Sequence, residues 1–421
     1  MFWKWGRFLC SGLFLCFAPL AAGAGGFESG GLGARATGMG GAFVGVADDW
    51  TAIYWNPAGL ARLKGKEVGA SLEYVRVLAH DSQGLVNAPI PFTQANFVRG
   101  DVFSQFGGEP AQFNGQDSDF SAWLPSLGFY ASALGMTFGG GSYSPLGFAF
   151  EVKDNRQPGF DVSFKSQGYL VNHNLLSVAK TILPGVNIGA GVNLVQARLG
   201  RFADKKAPGY ESSASAKATA LGVQGVFGTL LDLGKRVHVG GVYRTGQDIK
   251  LKGDASVADG RFPPESSAYT QTIRNPTTYG VGVSVLPLPS LTLSADWQRT
   301  EWNATREDVQ FDNPGLILQN QSFDLGWAST SRYRFGMEWR PSEWSFRFGT
   351  FRDPRAVSFA SQGLTGLIDP DIRYYTSGFS YRRPCWEVSL TNQYGAGTEV
   401  VNARTLRKEV NSFVTEFDYF F

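Results

Sequence analysis

The final nine residues, Phe413-Val-Thr-Glu-Phe-Asp-Tyr-Phe-Phe421, alternate in character with period two. Phe413, Thr415, Phe417, Tyr419 and Phe421 fall on one face of an extended strand; Val414, Glu416, Asp418 and Phe420 fall on the other. Such a strand needs a different solvent on each side. In a soluble sandwich the aromatic side would meet a core. In an outer-membrane barrel it meets lipid, and the carboxylates meet a wet lumen. A terminal strand of this kind favours the barrel, in which the last strand closes the ring against the first.

The opposite end points to the same compartment. Lys4 and Arg7 precede an apolar run from Phe8 to Leu20, followed by Ala22-Gly23-Ala24. This is the pattern of a secretory signal peptide over residues 1–24, with the mature chain expected to begin at Gly25. Cys10 and Cys16 leave with it, and Cys385 alone remains. The mature chain then has no intramolecular disulfide and no cysteine-based metal site. Removing Lys4 and Arg7 takes the formal charge from +2 to zero. That balance calls for no nucleic acid, and no motif calls for a metal or a cofactor. No apolar stretch of the mature chain reaches the length of a spanning helix.

Period-two segments recur from Lys66 to the end, as in Val68/Ala70/Leu72/Tyr74, Leu291/Leu293/Ala295/Trp297 and Tyr333/Phe335/Met337/Trp339. They place fourteen strands, starting near residues 66, 123, 134, 168, 186, 217, 235, 276, 290, 331, 343, 371, 385 and 409. Tight turns are expected near 132–134, 183–185, 232–235, 286–290, 340–343 and 382–385. Long polar connections are expected near 79–121, 149–167, 200–216, 252–275, 303–330, 354–370 and 398–408. Short turns alternating with long loops are the habit of outer-membrane barrels. No repeat of about 40–50 residues recurs, which counts against a propeller. The predicted fold is therefore an all-β, fourteen-stranded antiparallel transmembrane barrel over residues 66–421. Opposite the apolar stripes lie His238, Arg244, Asp296, Arg334, Glu338, Arg347, Glu387, Glu416 and Asp418, read as a hydrated lumen network of mixed sign.

Residues 25–65 do not alternate. Asp48 or Asp49 can cap one short helix, and Asn56-Pro57 starts another with Asn as cap and Pro in the first turn. Short helices carrying Ile53, Tyr54, Trp55, Leu60 and Leu63 ahead of a barrel can bury them in its lumen, as a plug. Gly31-Leu-Gly-Ala-Arg-Ala36 matches a dinucleotide fingerprint in form only, since no strand precedes it and no βαβ unit surrounds it.

The stretches GLGARATGMGGAFVGVADD and YWNPAGLARLKGKEV, with the later LPSLGFY, YSPLGFAFE, VGGVYRTG and YRFGMEWRP, resemble the outer-membrane long-chain fatty-acid transporter family (FadL/TodX/OMPP1 type). The resemblance spans essentially the mature chain. It implies an N-terminal hatch inside the barrel, residence in the outer membrane of a Gram-negative-type bacterium, and diffusive uptake of hydrophobic molecules such as fatty acids or aromatic hydrocarbons. It implies release sideways, through a gap at a kinked third strand. Asn56, Pro57 and Ala58 match the family's hatch motif, with Asp48 and Asp49 upstream. A sister branch, similar to the PorV-like shuttle proteins of a secretion system, shares the same opening and is the alternative reading.

Three sites follow as expectations. Gly139-Gly140-Gly141 in the third strand either opens the side exit or is a bulge that shapes the barrel. Phe92, Phe97, Phe103 and Phe106 of the first long loop either capture an apolar ligand or pack on one another over the mouth. For a carboxylate ligand, Arg244, Arg334 or Arg347 is positioned to receive the head group. The partners expected besides the substrate are outer-membrane lipid and the barrel-assembly machinery, the latter through the strand ending at Phe421. His80, His173 and His238 accompany no nucleophile motif such as G-x-S-x-G, so the chain reads as no enzyme.

Overall fold

The computed structural model of the protein describes residues 31–82, 116–154, 161–207, 209–260, 262–304, 306–324, 326–357, 368–401 and 404–421. Its strands form one closed antiparallel sheet. Several are interrupted midway, and merging the collinear pieces gives fourteen. β1 is Lys66–Asp81, β2 Gln116–Ala133, β3 Met136–Asp154, β4 Asp161–Leu183, β5 Val186–Ala207 and β6 Tyr210–Leu233. β7 joins Val237–Arg244 to Gln247–Asp259, and β8 joins Phe262–Asn275 to Thr278–Leu288. β9 joins Leu291–Thr300 to Arg306–Phe311, and β10 joins Gln321–Asp324 to Thr330–Trp339. β11 is Trp344–Asp353, β12 Ile372–Arg383, β13 Trp386–Val401 and β14 Arg404–Phe420. β14 closes the ring on β1 with Glu67 opposite Phe420 and Asp81 opposite Leu406. Closure gives every strand two neighbours, the condition for strands to cross a bilayer.

The side chains alternate across the wall as the terminal strand foreshadows. Phe413, Phe417 and Tyr419 are exposed to the outside, whereas Glu416 and Asp418 are buried within. Trp123, Leu127, Phe129, Phe335, Trp339, Phe346 and Phe379 join the exposed apolar exterior. Aromatic pairs such as Trp339–Phe346, Trp344–Tyr381 and Tyr419–Phe421 crowd the end with the tight turns. Rings of this kind suit the headgroup level of a membrane.

The tight turns lie where the sequence puts them. β2 and β3 are joined by Leu134-Gly135, both with positive φ, 55° and 71°. Two left-handed residues match the twist of a two-residue hairpin; glycine takes the second freely, and Leu134 takes the first at some strain. The other ends of the strands differ from expectation. The stretches near 149–167, 200–216, 252–275 and 398–408, read as loops, are mostly strand: β5 and β6 are separated only by residues 208–209. Within 303–330, Arg306–Phe311 and Gln321–Asp324 continue β9 and β10. β4, β5 and β6 have 23, 22 and 24 residues. A membrane needs about 9–11, so this side of the barrel rises well beyond the lipid. There the outward face meets water, and the contrast that marks a lipid-bathed strand disappears. Ile249, Leu251, Ala255 and Val257 still alternate along β7, but they point inward and are buried.

Candidate functional site

Residues 31–63 fill the bore. The segment contains a short helix α1 (Ala34–Gly38), a one-turn helix α2 (Ala52–Trp55) and a 3₁₀ turn (Pro57–Arg62). Asp49 Oδ1 accepts the Thr51 N–H at 2.9 Å just ahead of α2. Asn56 Oδ1 accepts the Ala58 N–H at 3.1 Å, with Pro57 opening the 3₁₀ turn. Met39, Phe43, Trp50, Ile53, Trp55 and Leu60 form a fully covered apolar core in this segment.

A chain this irregular carries backbone groups that cannot bond to one another, and the wall supplies partners. Asp296 Oδ2 accepts the N–H groups of Phe43 and Val44 at 2.7 and 2.8 Å. Glu416 accepts the Ala34 N–H, and the Trp50 indole N–H donates to Glu416 and Asp418 at 3.3 and 3.0 Å. Thr391, Thr376 and Ser284 hydroxyls donate to the carbonyls of Ala34, Gly38 and Gly45. Asn56 Nδ2 donates to Val44 O on its own segment and to Thr229 O on β6. The lumen charges are therefore not the hydrated network expected from sequence. The hatch covers them, and several hold its backbone.

Arg35 is the only basic residue between 25 and 61, and it is the hub of the attachment. Its guanidinium forks onto Glu338 of β10 at 2.9 and 3.0 Å and reaches Asp48 and Asp49 at 2.6 and 3.2 Å. Glu338 also receives Arg347 at 2.7 Å and Arg340. Burial pushes the Asp48 carboxyl up, but Arg35, Arg340 and Arg62 outweigh it and hold it below the usual range. Burial pushes Asp49 up, and the neighbouring Asp48 charge adds to it. Sequence reading singled out both aspartates as helix caps and missed this role. A lone cation in a segment with paired acids was the available signal.

The glycine run of β3 has two neighbours. A Cβ on Gly139 would lie 2.9 Å from Ile53, and one on Gly141 would lie 2.7 Å from it. The β2–β3 ladder runs intact through Gly139–Gly141 and ends at the pair Leu127–Ser142. The glycine run thus seats Ile53 of the hatch and lies beside the last β2–β3 pair. Beyond that pair, among the described residues, β2 bonds only to β1 and β3 only to β4. The β3–β4 register slips between Gly139 and Gly141 and again between Tyr143 and Leu146, so β3 bends away. A narrow cleft of about 10 Å³ lies at the parting, lined by Gly31, Leu32, Tyr54, Glu73, Leu124, Ser126, Tyr143 and Ser144.

The three candidate arginines separate. Arg347 is engaged by Glu338, Glu387 and Ser380, and Arg334 donates to Gln298 and lies beside Trp55 and Phe351. Arg244 differs. It donates to the Tyr54 carbonyl and lies 4.5 Å from the Tyr54 ring, which meets Tyr143 edge-on at 5.3 Å. Among the described residues no carboxylate pairs with it, and its Nε has no hydrogen-bond partner. Phe92, Phe97, Phe103 and Phe106 lie outside the described residues.

Residues 15–392 match the sequence profile of a family described as outer membrane protein transport protein (OMPP1/FadL/TodX). Among solved structures, the fold is similar to a Pseudomonas aeruginosa FadL homologue, with TM-score 0.70 and 16% identity over 94% of this chain and 100% of that one. It is similar to the Ralstonia pickettii toluene transporter TbuX, with TM-score 0.66 and 16% identity over 93% and 99%. It is also similar to the P. putida toluene transporter TodX, with TM-score 0.64 and 14% identity over 93% and 98%. No curated protein sequence matches the chain.

Proposed function

This chain belongs to the OMPP1/FadL/TodX family of outer membrane transport proteins, and from that premise we propose that it lets hydrophobic small molecules leave the bore sideways, between β2 and β3. One observation carries the reading. β1 and β2 pair from Lys66–Ala131 to Asp81–Gln116, whereas β2 and β3 stop at Leu127–Ser142 although both strands continue. Unpaired strand backbone facing lipid is costly. A parting retained there, with a cleft leading to the hatch, suits a passage from lumen to bilayer. The substrates of the solved relatives named above make toluene-like hydrocarbons one candidate class, and the fatty-acid members of the family make carboxylates the other. Passage would be diffusive, with substrate favouring a displaced hatch by population shift. The terminal strand ending at Phe421 is the element we assign to recognition by the barrel-assembly machinery.

Ser126→Trp and Ser144→Trp place an indole in the cleft, against Leu32 and Tyr54 of the hatch. Both are expected to lower uptake of labelled toluene and oleate at least tenfold in a deletion strain, with heat-modifiable gel migration showing an assembled barrel. Wild-type uptake by both variants removes the lateral route. Normal uptake in the deletion strain itself, with an altered secreted proteome, would favour the shuttle reading.

Arg244 discriminates the two substrate classes. A carboxylate beside it would gain charge-assisted hydrogen bonds worth about 1.5–3 kcal/mol. Arg244→Met is expected to weaken oleate binding about tenfold or more and to leave toluene uptake unchanged. Equal losses for both would show that the arginine acts only by holding Tyr54.

A further inference from the structure

The outer end of the bore holds a second apolar core, separate from the hatch. Leu199 of β5, Ile249 and Leu251 of β7, Tyr269 of β8 and Phe311 of β9 meet there. Val357, which follows β11, reaches the same core. β5 and β11 are six strands apart in a ring of fourteen, almost opposite, so the core bridges the mouth.

Residues 312–320, between β9 and β10, enter this core without regular backbone pairing. Ile317 and Leu318 are 5% and 1% exposed, while Leu316 beside them is 67% exposed. One carboxylate sets that geometry. Glu265 of β8 accepts the N–H groups of Leu316, Ile317 and Leu318 at 2.8, 3.1 and 2.9 Å. A Cβ at Gly315 would stand 2.2 Å from the same carboxylate and displace it from the three N–H groups. Ser267 Oγ accepts the Asn313 N–H at 2.9 Å, and Asn320 Oδ1 accepts the Phe311 N–H at 2.8 Å. The strap is thus held by polar contacts at its base, and its tip contributes two aliphatic side chains and no polar group to the core.

We infer that this strap is a built-in substitute for cargo: Ile317 and Leu318 occupy the seat of an incoming apolar molecule, and Glu265 sets how readily they yield it. The inference rests on the transport reading. An aliphatic chain or small ring entering the core replaces the contacts that Ile317 and Leu318 give up, so the exchange leaves no void. The three N–H groups lose their carboxylate but are then within reach of water at the rim. An entrant too polar to restore the apolar contacts gains nothing against the strap, which makes the seat a filter for hydrophobic molecules.

Two measurements decide it. Ser267→Cys with Asn313→Cys, in a Cys385→Ser background, can lock the strap when oxidised. Uptake of toluene and oleate is expected to fall at least tenfold on oxidation, verified by mass, and to recover with dithiothreitol. Wild-type uptake by the oxidised protein overturns the inference. Independently, hydrogen exchange of the amides of residues 316–318 is expected to accelerate severalfold when purified wild-type protein in detergent is exposed to oleate or toluene, and to be fast without either in Glu265→Gln. Protection unchanged by both probes overturns it as well. Failure of wild-type protein to transport anything would remove the transport reading alone, because the exchange measurement still decides the seat.

Discussion

Replacing Glu338 by leucine is expected to release the hatch while leaving the barrel standing. Glu338 is fully buried and receives Arg35, Arg340 and Arg347 at once. Without it, three guanidinium groups converge with no shared anion. Arg35 keeps Asp48 and Asp49, and Arg347 keeps Glu387, so the residual repulsion falls on the contact between segment and wall. Breaking a buried pair by removing one partner costs about 3–5 kcal/mol. The fourteen-stranded ladder does not depend on this side chain. The readouts are stepwise conductance in planar bilayers and new protease cuts within residues 31–63, both absent from the wild type. A Glu338→Leu protein that stays closed and protease-resistant would show that the hub is dispensable.

The second large effect needs one methyl group. A Cβ on Gly240 of β7 would stand 2.1 Å from the Val44 carbonyl oxygen and 2.9 Å from Asn56 Nδ2. Those two atoms are hydrogen-bonded to each other at 2.9 Å. The obstacle is hatch backbone, which cannot rotate out of the way, so Gly240→Ala must push the segment inward and break a buried bond. Overpacking costs about 1–3 kcal/mol, and the orphaned polar groups add about as much. Gly241 points to the outer face, where its Cβ would meet only the Thr229 hydroxyl at 3.0 Å. Gly241→Ala should therefore behave almost as wild type. Chemical unfolding of both variants, followed by intrinsic tryptophan fluorescence, tests the contrast. Equal midpoints would mean that the segment packs less closely than the wall glycines indicate.

How much of this was legible beforehand depended on which contrast each residue reports. The strand Phe413–Phe421 faces lipid and an acid-lined interior, and its alternation reads directly as a barrel strand. The outer halves of β5 to β8 face water outside and an apolar core inside, so Ile249, Leu251, Ala255 and Val257 kept the period without the expected sign. Ala255 and Val257 fall in the stretch 252–275 expected as a loop, because without a lipid face their alternation lacks the contrast that marks a barrel strand. The hatch was legible as a short-helix segment through Asn56-Pro57, whose capping is local. Its attachment was not, because Arg35 and Glu338 are 303 residues apart in sequence. The lumen charges were identified correctly as inward. Their partners are hatch N–H and C=O groups, which every residue carries and no sequence pattern marks.

By itself, the sequence determined the apolar outer face of the lipid-bathed strand halves, the number of strands and the places of the tight turns. Each of these depends on neighbours within a few residues, through the pleat and through turn conformations. Only the tertiary structure decided where the ladder parts, which arginine is left without a carboxylate, and that Ile317 and Leu318 enter the bore. Those outcomes depend on strand register and on contacts between segments far apart in the chain. A shift of one residue in register would reassign every such contact without altering any local pattern.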